Sequence, residues 1–203
     1  MATEGENQTQ PDRVLTIPNL LSVVRLLCVP VFLWLVFGPE PSHRVAAAYL
    51  LAVLGATDWV DGYIARRFDQ VSTLGKVLDP TADRILLLAG VVAILIDGAV
   101  PVWVAVAALA REAIVAAAAL VLAAMGARRI DVTWAGKAGT FGLMFAFPLF
   151  LGSHAPDLWW HDTARVLAWI AAVPGLVLSY YAAAAYVPIA RDALRQGRVG
   201  STS

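Results

Sequence analysis

Between positions 58 and 83 four of the five aspartates form two pairs: Asp58 and Asp61 three residues apart, Asp79 and Asp83 four apart. At about 100° per residue each pair falls on one face of a helix. Gly62 and Ala65 share the face of the first pair, and Gly75 shares that of the second if the helix reaches back so far. Carboxylates this close repel one another unless a cation sits between them. Oxygen donors of this kind suit a divalent ion, and four aspartates are enough for two such ions. The small residues leave room for the body of a ligand. Arg66 adds a guanidinium suited to a phosphate.

The elements that carry these residues are apolar. The chain of 203 residues is 60% hydrophobic and only 15% charged. A soluble domain is about half apolar and about a quarter charged. Six stretches approach or exceed the roughly 20 residues that cross a bilayer as a helix. They run over about 18–37, 44–64, 79–97, 101–125, 135–152 and 165–187, with Pro30 and Pro174 inside the first and last. The predicted fold is an all-α integral membrane bundle of six transmembrane helices. Residues 1–14 read as a disordered cytoplasmic tail, 15–188 as the membrane domain, and 189–203 as a basic, flexible cytoplasmic tail. The polar start has no basic stretch of the signal-peptide type. The single cysteine, Cys28, excludes an intramolecular disulfide and reads as a small core residue. A formal net charge of zero gives no argument for nucleic acid as a partner.

Basic residues orient the bundle. With the N-terminus inside, the inner segments hold Arg13, Arg66, Arg67, Lys76, Arg128, Arg129, Lys137, Arg191, Arg195 and Arg198. The outer segments hold only Arg44 and Arg165. The positive-inside rule therefore places both termini, and the 58–83 stretch, at the cytoplasmic face. There a soluble charged substrate, or the headgroup of a lipid whose tails stay in the bilayer, can reach the aspartates. His43, His154 and His161 fall in outer loops and read as surface residues.

Arg25, Arg84, Arg111 and Glu112 lie in or at the ends of apolar spans. Charges within a membrane are expensive and usually face a polar cavity. Arg111 is the leading functional candidate among them, against the alternative of an ion pair with Glu112 or an aspartate. Arg25 and Arg84 are each long enough to snorkel to the inner interface. Glu112 reads as structural.

Written out, the motif is Asp58-x2-Asp61-Gly62-x2-Ala65-Arg66-x8-Gly75-x3-Asp79-x3-Asp83. Every position resembles the signature of the CDP-alcohol phosphotransferases (phosphatidyltransferases), and the six-span layout extends the likeness over nearly the whole chain. Eight fixed positions at fixed gaps arise by chance on the order of once in a billion starts. The resemblance implies transfer of a phosphatidyl group from a CDP-linked donor such as CDP-diacylglycerol to an alcohol, with release of CMP. It implies that Asp58, Asp61, Asp79 and Asp83 bind two divalent cations, Mg²⁺ or Mn²⁺, and that Asp83 is the base. It implies that Gly62, Ala65, Arg66 and Gly75 border the CDP moiety. It also implies a homodimer, in a multi-pass protein of the cell inner (plasma) membrane with its site facing the cytoplasm.

The acceptor must be read elsewhere. Arg111 and Lys137, in Ala110–Ile114 and Trp134–Thr140, sit where an acceptor phosphate could be held. Both segments, and Leu78-Asp79-Pro80, resemble phosphatidylglycerophosphate synthases, whose acceptor is glycerol 3-phosphate. Pro80 counts against the members that use inositol phosphate, which tend to have serine there. The run Asp12–Ser22 and the pattern Gly136-Lys137-Ala138-x-Thr140-Phe141-x2-Met144-x3-Pro148 resemble the actinobacterial cardiolipin synthases, whose acceptor is phosphatidylglycerol. Phosphatidylglycerol is therefore the preferred acceptor, with glycerol 3-phosphate as the alternative. A remote alternative of another class is an ion or metal transporter, but the carboxylates cluster at one face and no pair of short broken helices marks a midplane site. A catalytically silent lipid-binding protein is a further alternative; all four aspartates are present, and nothing points to lost activity.

Overall fold

The computed structural model describes the backbone of residues 17–68, 75–124, 133–155 and 157–199. Side chains are described for 19–57 except 41, for 81–121 and for 133–185 except 156. The described backbone forms six helices: α1 Ile17–Val36, α2 Pro41–Phe68, α3 Gly75–Asp97, α4 Val102–Ala124, α5 Trp134–Ser153 and α6 His161–Val199. Each coincides with one expected span, and α2, α3 and α6 are longer than expected. α3 begins at Gly75, so Gly75, Asp79 and Asp83 do share one helix. α6 runs through most of the stretch expected as a flexible tail. Ala190, Arg191, Ala193, Leu194, Arg195 and Gln196 are good helix formers, which accounts for the extension. At 39 residues α6 is about 58 Å long, well beyond the roughly 30 Å of bilayer hydrocarbon.

Local sequence sets the turns. Pro41 opens α2, where its missing N–H costs nothing. α3 stops at Gly98, whose φ of 81° places it in the left-handed region. The Gly98 N–H donates to the Leu95 carbonyl at 3.1 Å and the Ala99 N–H to the Ile94 carbonyl at 3.2 Å, a Schellman closure. Thr133 caps α5, its hydroxyl accepting from the Gly136 N–H at 3.2 Å.

Among the described residues, α1, α4, α5 and α6 each contain a stretch long and apolar enough to cross a membrane. The described side chains of α2 and α3, 42–57 and 81–97, are too few to make a span alone. Large apolar side chains point outward on every helix, among them Leu27, Val53, Ile96, Leu120, Phe141 and Ile170. Apolar surface this extensive belongs against lipid, and the chain is a membrane protein.

The packed core gathers at the end of the bundle that carries the 37–40, 98–101 and 154–160 connections. Phe32, Val36, Ile94, Val104, Phe150 and Leu151 are nearly inaccessible there. Arg44 and Asp97 tie α2 to α3 at that end, at 2.7 Å. His43 is therefore no loop residue: it lies in α2, half-buried, its ring 4.9 Å from that of Trp34. α5 and α6 pack backbone to backbone. A Cβ on Gly139 would meet the Ser179 N at 2.7 Å and the Gly175 carbonyl at 2.8 Å. Toward the other end of the bundle, α1, α2, α3 and α5 leave a cavity.

Candidate active site

α1 buries one stripe of its surface: Asn19, Ser22, Arg25, Val29, Phe32 and Val36, at three- and four-residue spacing. Its second half is apolar and joins the core. Its first half is polar, a pattern that makes sense only against polar groups on a neighbour. That neighbour is α3. Arg25, 3% exposed, pairs with Asp83, which is 39% exposed. Arg25 therefore does not snorkel; it is buried and pairs with Asp83, the fourth aspartate of the motif.

Asp83 and Arg25 lie at the polar mouth of a cavity of about 220 Å³. Arg84 of α3 and Glu112 of α4 also line the mouth. Glu112 stands between two guanidinium groups: its carboxylate is 2.9 Å from Arg111 Nη1 and 3.9 Å from Arg84 Nε. Arg111 thus takes the alternative foreseen for it, an ion pair with Glu112, and it is Glu112 that reaches the cavity wall. The Arg111 Nε is buried and has no hydrogen-bond partner among the described residues. Beyond the mouth the wall is apolar, formed by Leu51 and Leu54 of α2, Leu86 and Leu87 of α3, and Met144 and Phe147 of α5.

Helical register connects this cavity to the remaining motif positions. Leu51, Leu54 and Gly55 line it from α2, and three- and four-residue steps carry their face on to 58, 61, 62 and 65. On α3 the same steps run back from Asp83 to 79 and 75. The side chains of Asp58, Asp61, Ala65, Arg66 and Asp79 lie outside the described residues, so they are placed by register alone, as are Gly62 and Gly75. Lys137 is exposed in the first turn of α5, one turn before Thr140, which lines the cavity. A lysine there opposes the helix dipole, and an anion beside it would satisfy both.

Hard carboxylate oxygens at 58, 61, 79 and 83, on two helices that border one cavity, are a donor set that fits Mg²⁺ or Mn²⁺. Among the described residues alone no cluster of three metal-ligating side chains is found. Sequence reasoning undervalued Arg25 and Glu112. The signal for Arg25 was available in its spacing from Asn19 and Ser22. For Glu112 the pair with the adjacent Arg111 was foreseen, but its approach to Arg84 had no signal, because the two meet only through the packing of α3 on α4.

The sequence pattern of the CDP-alcohol phosphatidyltransferase family matches residues 15–179. The chain is 42% identical over 193 residues to the cardiolipin synthase (CMP-forming) of Streptomyces coelicolor, covering 94% of this chain and 89% of that protein. It is 34% identical over 174 residues to the CDP-diacylglycerol–glycerol-3-phosphate 3-phosphatidyltransferase of Escherichia coli K12, covering 83% of this chain and 94% of that protein.

Proposed function

The chain belongs to the CDP-alcohol phosphatidyltransferase family, and from that premise we propose that it transfers the phosphatidyl group of CDP-diacylglycerol to phosphatidylglycerol, giving cardiolipin and CMP. The observation that carries the acceptor is likeness along nearly the whole chain to a CMP-forming cardiolipin synthase. The lower likeness to an enzyme named for glycerol 3-phosphate keeps that acceptor as the second reading.

In this reading an acceptor hydroxyl oxygen forms a new bond to the phosphatidyl phosphorus. The pyrophosphate P–O bond breaks, and CMP leaves with that oxygen and the bonding pair. Asp83, at the cavity mouth, takes the hydroxyl proton. Arg25 fixes the position of its carboxylate. Gly62, Ala65, Arg66 and Gly75 border the CDP moiety, and Arg111 and Lys137 hold the acceptor phosphate, with Glu112 setting the Arg111 guanidinium. Asp58, Asp61, Asp79 and Asp83 would hold two divalent cations, which when bound neutralise the diphosphate and stabilise the departing phosphate. Six spans with both termini in the cytoplasm put this site at the inner leaflet, where binding the headgroup supplies proximity while the tails stay in lipid. A homodimer completes the proposal.

The test is direct. Purified protein, Mg²⁺ or Mn²⁺ and CDP-diacylglycerol are incubated with phosphatidylglycerol, glycerol 3-phosphate or inositol phosphate, with a chelator arm, and CMP and lipid product are followed. CMP release and cardiolipin with phosphatidylglycerol, lost on chelation, are expected. Turnover with glycerol 3-phosphate alone would assign the second reading.

A further inference from the structure

The cavity continues where the reaction needs nothing. From Asp83 its α3 wall runs to Val91, eight residues or about 12 Å of helix, away from the charged mouth. Over that distance it is an apolar shaft between α2, α3 and α5. A glycerol phosphate has no apolar part to place there.

Two glycines shape the shaft. Gly90 is buried in the interior of α3, where glycine is destabilising relative to alanine. Close packing does not demand it: an added Cβ would meet only Leu51 Cδ1, at 3.6 Å, an ordinary contact. At Gly55 of α2 the three atoms nearest an added Cβ all belong to Met144, the closest at 2.8 Å. Gly90 therefore keeps space open, and the flexible Met144 side chain packed over Gly55 can shift for an occupant. The volume, about 220 Å³, exceeds the roughly 150 Å³ that admits benzene in an engineered apolar cavity. It holds a length of hydrocarbon chain and not a whole lipid.

Resting on the reading above, we infer that the Gly55–Gly90 shaft receives one acyl chain of the acceptor, so that the acceptor is selected as a membrane lipid and not only by its headgroup. The mouth argues for the acceptor over the donor. The shaft opens at Asp83, which in the reading above must touch the acceptor hydroxyl. The charges at the mouth are paired, Arg25 with Asp83 and Arg84 with Glu112, so the apolar shaft is the part left to hold a lipid chain.

Gly90→Leu would plug the shaft, and Gly90→Ala serves as the control for backbone effects. With long-chain phosphatidylglycerol, Gly90→Leu is expected to raise the acceptor KM at least about tenfold, the effect of losing roughly two buried methylenes. Short-chain phosphatidylglycerol and long-chain CDP-diacylglycerol should keep KM values within about twofold, too little to reflect one lost methylene. A KM rise for the donor instead, or no dependence on acceptor chain length, would overturn the proposal. Should Gly90→Leu fail to fold, the wild-type protein decides. Phosphatidylglycerol with a photoreactive group in its acyl chain should label Leu87 or Met144, in competition with unmodified phosphatidylglycerol but not with CDP-diacylglycerol. Labelling confined to outward-facing residues such as Ile96 and Leu120 would overturn it. Wild-type protein that uses glycerol 3-phosphate and no phosphatidylglycerol would overturn the acceptor reading beneath, before any variant is made.

Discussion

Arg25 sets where the Asp83 carboxylate can go. It is buried and comes from α1, so the base assigned from α3 is positioned by a helix outside the 58–83 motif. Asp83→Asn keeps the size and shape of the side chain but removes its capacity to take a proton. Turnover should be abolished while CDP-diacylglycerol binding persists, and near-normal CMP release by that variant would sink the base assignment. Arg25→Leu should act through Asp83. It removes a charged hydrogen bond, typically about 1.5–3 kcal/mol, and Asp83 keeps some solvent, which favours the lower end. The expected result is a fall in kcat of about tenfold or more, since about 1.4 kcal/mol is one decade. Arg25→Lys should recover part of it. Equal losses in both variants, with lowered thermal stability, would make the pair structural only. The aspartate spacing was legible as chemistry because helical period alone brings i and i+3 or i+4 together. The pairing of Arg25 with Asp83, and of Glu112 with Arg84, was not, because both depend on how helices dock.

Helix by helix, the apolar runs were enough to find every element, since a bilayer demands a length and a composition that few other structures share. Interhelical distances were less legible. Glycine reads in sequence as a break, yet Gly139, Gly142 and Gly175 lie inside α5 and α6 and let the two backbones meet. Within a membrane no hydrophobic force separates helix–helix from helix–lipid contact, so such close approach is a main source of association. Gly139→Val would drive its Cβ into the Ser179 and Gly175 backbone, which cannot yield as a flexible side chain can. It should destabilise by about 1–3 kcal/mol or more, the cost of overpacking, read as a lower thermal midpoint in detergent. Gly152→Ala, which meets Leu158 Cδ2 at 3.3 Å, should be nearly silent. A Gly139→Val protein as stable as wild type would mean that α5 and α6 are not held at this distance.

Across the whole molecule the two ends of the bundle divide the labour. One end carries the apolar core, the Schellman turn after α3 and the Arg44–Asp97 tie. The other carries the charged mouth, the exposed Lys137 and, by register, the remaining aspartates. Among the basic residues with described side chains, Lys137 lies at the second end and Arg44 and Arg165 at the first. By the positive-inside rule the charged end is expected to face the cytoplasm, where a soluble nucleotide can reach it. Single cysteines on a Cys28→Ala background test the arrangement. Ser42 and Lys137 are both exposed and lie at opposite ends of the bundle. In intact cells a membrane-impermeant maleimide should modify Ser42→Cys and leave Lys137→Cys untouched, and breaking the cells should expose the second. The opposite pattern would turn the site to the outer face, away from any cytosolic nucleotide. The orientation and the proposed reaction would then fall together, because the charge asymmetry that orients the bundle is built partly from Arg66 and Lys137, residues to which the proposal gives a role.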